Sequence, residues 1–258
     1  MRIYIHTDLE GISGVDSIEM MDKTDPSHEY AIKRLMADVN AAIDGAFDGG
    51  ATHVTVLDSH AGGGNFDLSL LDPRAECDTK ENKKWWGKLD STYNGTFFIG
   101  AHAMAGTING FLDHTQSSRT WFNYWVNGRR MGELAQWAIV AGHFGVPMLM
   151  VSGDEAACVE AREFLDSIEC AVVKRGVGRN RAELVDLDKS LARIRDAAKK
   201  GVALIGKATP FVPILPMEIR LELYRSDFCD KIAKKSGVER LDARTVRKIA
   251  NTALELFI

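Results

Sequence analysis

Acids and imidazoles stand at the ends of apolar runs in this chain. RIYIHT leads into Asp8 and Glu10, THVTVLDS into His60, and GTFFIGA into His102. Two carboxylates one residue apart repel each other unless a cation lies between them. Side chains alternate along an extended chain, so Asp8 and Glu10 are expected on one side with Leu9 opposite. Glu133 falls in line with Trp137, Val140 and Phe144 at helical spacing, which puts an acid on the inward face of a first helical turn. Singly, each residue has a plainer reading: a turn acid, an acid favoured by the helix dipole, a hydrogen-bonded core histidine. Together at strand ends they favour metal ligation. Three carboxylates and two imidazoles suit zinc, manganese or cobalt better than calcium or copper. Five donors exceed what one tetrahedral zinc with an open position needs, whereas two metals sharing a carboxylate would use them all. Asp58 is expected to cap its loop or orient a neighbour. His6, His28, His53 and His143 are assigned structural or solvated roles.

The elements that must position these residues alternate. Strand signals in RIYIHTD, THVTVLDSH, GTFFIGAHA, VPMLMVSGD, CAVVKRG and GVALIGKA are separated by helical stretches. The pattern predicts an α/β fold with a largely parallel sheet, flanking crossover helices and a metal site at the carboxyl ends of the strands. The first helix follows Pro26, carries Ile32, Leu35, Met36, Val39, Ile43 and Phe47 at helical spacing, and stops at Gly49 and Gly50. A second is expected from about Met131 to 143–145, a third through DKSLARIRDAAKKG, and a last through DARTVRKIANTALELF. TPFVPILPMEIRLELY reads as a turn-rich approach to a half-exposed strand. No repeat or linker marks a boundary, so residues 1–258 are taken as one domain, with the metal site in about 1–150 and 151–258 completing the fold and the oligomer contacts.

Bulk properties narrow the function. With 258 residues, 45% of them apolar, the chain can bury a large core. A formal net charge of −4 offers no basic surplus for nucleic acid. The N-terminus reaches an acid at position 8 before any long apolar run develops, so neither a signal peptide nor a membrane anchor is expected. Cys77, Cys158, Cys170 and Cys229 form no CxxC pair, which points to a reducing cytoplasm.

On HTDLEGISG at 6–14, LDSH at 57–60, GAHAMAGTINGFLDHTQSS at 100–118 and VNGRRMGELA at 126–135, the chain resembles the D-aminopeptidases of peptidase family M55. The resemblance continues through VPMLMVSGDEAA and VVKRGVGRN over nearly the whole chain. It implies two zinc ions held by Asp8, Glu10, His60, His102 and Glu133, with Asp8 as the bridge and His114 as a catalytic residue. It also implies hydrolysis of the N-terminal bond of short peptides or aminoacyl amides, a preference for D-residues, and a ring-like homo-oligomer, with a decamer as the candidate size. Trp85, Trp86, Trp121 and Trp125 are then candidates for subunit contacts or for partial burial within one subunit. Two rivals stay open: a two-metal phosphoesterase and a metal- or peptide-binding protein without turnover. The first would need cations near the strand ends, and Lys174, Arg175, Arg179 and Arg181 are expected instead in a solvated loop.

Overall fold

The computed structural model describes residues 1–79 and 84–258. Ile3, Tyr4 and Ile5 of β1 (Arg2–Thr7) are all fully buried, as in a strand covered on both faces. Then come α1 (Ser27–Asp48), β2 (His53–Asp58), β3 (Ala75–Asp78), β4 (Gly95–Ala101), β5 (Trp121–Val126), β6 (Arg129–Arg130) and α2 (Glu133–His143). The remainder comprises β7 (Met148–Asp154), α3 (Glu155–Phe164), β8 (Glu169–Gly178), β9 (Arg181–Leu184), α4 (Leu187–Val202), β10 (Met217–Leu223), α5 (Ser226–Ile232), β11 (Val238–Arg240) and β12 (Thr245–Ala250).

One sheet has the order β3-β2-β1-β4-β7-β8-β9 and is parallel except for the β8-β9 hairpin. The chain leaves β1 toward β2 and β3, then returns to its other side at β4. That reversal opens a crevice beyond the carboxyl ends of β1 and β4, the usual ligand position in such sheets. The second sheet, β11-β12-β10-β5-β6, is antiparallel. Its β5-β6 hairpin closes on Asn127-Gly128, both at positive φ.

Two cores hold the layers together. Ile3, Ile5, Val54, Val56, Phe97 and Ile99 pack against Leu35, Val39 and Ile43 of α1 and Ile194 of α4. From the opposite face, Tyr4, Phe98 and Val151 join α2 and α3 and meet Ile219, Leu221 and Val246 of the second sheet. Helix α2 lies inside this core and is buried from Leu134 to Gly142, so it is covered all round instead of along one stripe, with Gln136 its one polar residue there.

The sequence expectations hold for the first three helices and for β10, whose burial alternates strictly. Two do not hold. The segment expected as a closing helix is β12 followed by a single 3-10 turn at Ala253–Glu255. Val246 and Ala250 suit one face of a helix, but β10 offers an unpaired edge that they also fit as a strand, with Met217 opposite Ala250 and Leu221 opposite Val246. Tertiary pairing overrides local periodicity here. Residues 201–208, expected as a strand, form the last turn of α4 and the turns after it. The helical pattern of α4 runs on into Gly201 and Val202, which are buried within the helix end.

Candidate metal centre

Asp8 and Glu10 lie just beyond β1, in a turn, so the expected strand alternation is not what joins them. The turn folds over the end of β4: Asp8 N donates to Ile99 O at 2.8 Å and Gly11 N to Gly100 O at 2.8 Å. The two backbones touch so closely that a Cβ on Gly11 would lie 2.1 Å from Ala101 O, and one on Gly100 would lie 2.1 Å from Asp8 O. Beneath the turn, Lys174 donates to the carbonyls of Glu10 and Val15, both at 2.6 Å. Lys174 was expected in a solvated loop. It is instead wholly buried on β8, where its ammonium lies 4.7 Å from the centre of the Phe111 ring.

His60 follows β2 in a short 3-10 turn. Asp58 shapes that loop by accepting from Asn65 N, Asn65 Nδ2 and Phe66 N, and Asn65 Nδ2 also donates to the His60 carbonyl at 2.7 Å. The loop-capping role expected of Asp58 is therefore the observed one. The His60 ring arrives with Nδ1 at 2.8 Å from Asp8 Oδ1 and 3.0 Å from Glu10 Oε2.

His102 follows β4 directly. Its Nδ1 lies 3.0 Å from Ala103 O, and a carbonyl can only accept, so in the neutral ring Nδ1 carries the proton and Nε2 a lone pair. That lone pair is buried, makes no hydrogen bond, and faces Asp8 Oδ2 at 3.3 Å and Glu133 Oε1 at 3.4 Å. His114 repeats the arrangement: Nδ1 donates to Leu112 O at 2.8 Å, Nε2 faces Glu133 Oε1 at 3.5 Å, and its ring stacks on His102 at 4.0 Å. Glu133 opens α2 without capping it and is fixed by the N–H of Gln116 at 2.7 Å.

A lone pair aimed at two carboxylate oxygens is repulsive unless a cation lies between them. The titration of the cluster reflects this. Burial would lower the His60 pKa, but the Glu10 and Asp8 charges override it and raise it to about 11. His102 is likewise raised well above its usual value against burial, by Asp8 and Glu133. Burial and the Glu10 charge push Asp8 upward, whereas His60 outweighs burial at Glu10 and holds it low. Protons occupy the positions that a metal would take, and metal binding would displace them. The donors fit such a group as two triads, Asp8 with Glu10 and His60, and His102 with His114 and Glu133, each with ligand atoms within 4.8 Å of one another.

All six residues singled out from the sequence thus meet in one cluster. His114, assigned there as catalytic and not as a ligand, stands as close to Glu133 as His102 does. The centre opens into a cavity of about 450 Å³ whose wall includes His6, Trp85, Gln116 and Arg119. His6 was assigned a structural or solvated role, and sequence reasoning gave none of these four a place at the site. His6 packs between Phe98 and Trp137 with Trp85 beside it, an arrangement that no local motif announces. Trp85, Trp86, Trp121 and Trp125 are all partly buried, the first three against the core around α2.

A family model for the D-aminopeptidases, peptidase M55, matches residues 1–258. A D-aminopeptidase of Bacillus subtilis (strain 168) is 32% identical over 216 residues, covering 83% of this chain and 78% of that protein. The solved structure of the Zn-dependent D-aminopeptidase DppA from Bacillus subtilis, a self-compartmentalizing protease, superposes with a TM-score of 0.94 at 29% identity. It covers 99% of this chain and 94% of its own.

Proposed function

The chain belongs to the D-aminopeptidases of peptidase family M55, metallo-aminopeptidases by activity, and from that premise we propose that it uses two zinc ions to remove N-terminal residues from short peptides or aminoacyl amides, with preference for D-residues. Asp8, Glu10, His60, His102 and Glu133 would hold the two ions, with Asp8 shared between them. One observation carries this reading: the two oxygens of Asp8 face different histidines, Oδ1 toward His60 at 2.8 Å and Oδ2 toward His102 at 3.3 Å. Zinc is the metal named for the solved relative, and the donor set suits it.

Zinc bound there supplies Lewis-acid polarisation of the scissile carbonyl and a water acidic enough to react near neutrality. The chain's own groups do the rest. His114 Nδ1–H is engaged with the Leu112 carbonyl, so Nε2 is the atom that accepts a proton from the attacking water and returns it to the leaving amine. The free amine of the substrate would lie on the Asp8, Glu10 and Glu133 side of the cavity, which selects for a free N-terminus. Trp85, packed edge-on to Trp137, gives that side an apolar wall against water.

The fold acts as one catalytic unit, with the ligands in about 1–150 and residues 151–258 completing it and carrying contacts between copies. A ring-like homo-oligomer follows the relative described as self-compartmentalizing, and a reducing cytoplasm suits four free cysteines. The test is metal analysis of the purified protein together with a panel of D- and L-aminoacyl amides and dipeptides, with aryl phosphates in parallel. Two zinc ions per chain and cleavage of D-substrates are expected. Cleavage of aryl phosphates alone would make it a phosphoesterase, and no turnover by the zinc-loaded protein a binding protein.

A further inference from the structure

Two cavities meet at the metal centre. The first, of about 450 Å³, is bounded by Asp8, Glu10 and Glu133. The second, of about 570 Å³, is bounded by Lys23, Arg119 and Arg179, with Ile18, Met21 and Leu112 between the charges. Glu10, His114, Ser118 and Arg119 line both, so the two adjoin as one groove with these four residues at the divide. Its second part carries three cations, Lys23, Arg119 and Arg179, against the acids Glu10 and Asp22.

The cations differ in how far they are engaged. Arg179 lies 3.6 Å from Asp113 and is 40% exposed. Arg119 is exposed and, among the described residues, has no acid within salt-bridge range. The acid that lines only the cationic end, Asp22, already accepts from Thr24 N and Thr24 Oγ1, both at 2.8 Å. A guanidinium is a planar fork of donors matched to a carboxylate, and a free one in a groove wall is a receptor for that anion.

We propose that the cationic end of the groove receives the free C-terminal carboxylate of a short peptide, with Arg119 as the specificity-determining residue that binds it and Lys23 and Arg179 adding to the positive field. The inference rests on the peptidase reading and names its substrate class as unblocked short peptides over their C-terminal amides. A zwitterionic peptide has one productive orientation here. Its free amine and first peptide bond lie at the metal side beside His114, and its carboxylate toward Arg119. Reversed, it would set its ammonium against Arg119, Lys23 and Arg179.

The experiment compares a dipeptide with its C-terminal amide on the zinc-loaded protein, by kcat/KM and by calorimetric binding, for the wild type, Arg119→Gln and Arg119→Glu. The wild type is expected to favour the free acid by tenfold or more, carried mainly by KM. Arg119→Gln should cut that preference about tenfold and Arg119→Glu should reverse it, a charge-specific change that a merely structural residue would not produce. Equal handling of acid and amide by the wild type, or a preference unmoved in both variants, would overturn the proposal while leaving the peptidase reading intact. If neither compound is cleaved but the free acid still binds more tightly in an Arg119-dependent way, the subsite stands and the peptidase reading fails.

Discussion

At the scale of single residues, the centre works because each imidazole has one nitrogen committed elsewhere or pressed against carboxylates. His114 is the test of how its donors divide. With Nδ1 held by Leu112 O, its Nε2 either moves protons or binds a metal beside Glu133. Our assignment expects His114→Ala to keep two zinc ions per chain while kcat falls by about 10²- to 10⁴-fold, the range for a lost general acid-base. Metal analysis that found one zinc ion would make His114 a ligand instead. Glu133→Gln is expected to lose zinc, because the change removes the charge that His102 and His114 both face. The clustering residues were legible in the sequence because acids and histidines stand out at the ends of apolar strands. Lys174 was not: inside VVKRGVGRNR it reads as one more solvated cation, and nothing nearby says that the turn at 8–15 will cover it.

At the scale of elements, the site depends on backbones packed too tightly for side chains. Gly11→Ala would place a methyl 2.1 Å from Ala101 O, where backbone meets backbone and neither can yield. We expect a loss of roughly 2 kcal/mol or more in urea unfolding, with weaker zinc binding because the Asp8-Glu10 turn must lift. A second element-level prediction concerns α3. Glu160 is buried, accepts from Met104 N at 2.8 Å through Oε2, and leaves Oε1 without a partner. Burial raises its pKa from the usual 4.5 to about 7. The folded state therefore holds a proton that the unfolded chain has lost, so stability falls as pH rises from about 4.5 to about 7 and is level above that. Glu160→Gln keeps the shape without the charge. Its melting temperature should exceed that of the wild type at pH 8, by the equivalent of up to about 3 kcal/mol, and match it near pH 4.5. An equal offset at both pH values would mean that Glu160 is not the titrating group. Elements were legible where one periodicity dominated, as in α1 and β10. They were illegible where the partner decides: Val246 and Ala250 suit a helix face as well as the β10 edge, and only the edge settles it.

At the scale of the whole molecule, the order of strands explains why three separated motifs converge. Asp8, His60 and His102 follow β1, β2 and β4, which lie side by side, and the reversal between β1 and β4 leaves space beyond them. Alternating strand and helix signals imply a largely parallel sheet, but not its strand order. The antiparallel second sheet was not foreseen, since β6 and β11 are short and the two local hairpins are joined only through β10, where Ile219 pairs with the distant Val126. What the single chain leaves uncovered bears on assembly. Ile214 is 82% exposed, with Val212 and Leu215 beside it in sequence, and Ile108 is 88% exposed with Val159 close by on the wall of one shallow cavity. Scattered exposed apolar residues are ordinary, but grouped ones mark contact surfaces. If they join copies into a ring, Ile108→Asp and Ile214→Asp each put a charge into an interface, where an unpaired buried charge is costly. Light scattering after gel filtration should then show the wild type at a multiple of 28.5 kDa and the variants shifted toward smaller species. The cleavage of an aminoacyl amide supplies the control, because a ring that only encloses complete active sites leaves each subunit competent when it dissociates. Loss of turnover in step with loss of mass would instead mean that a neighbouring copy completes the groove.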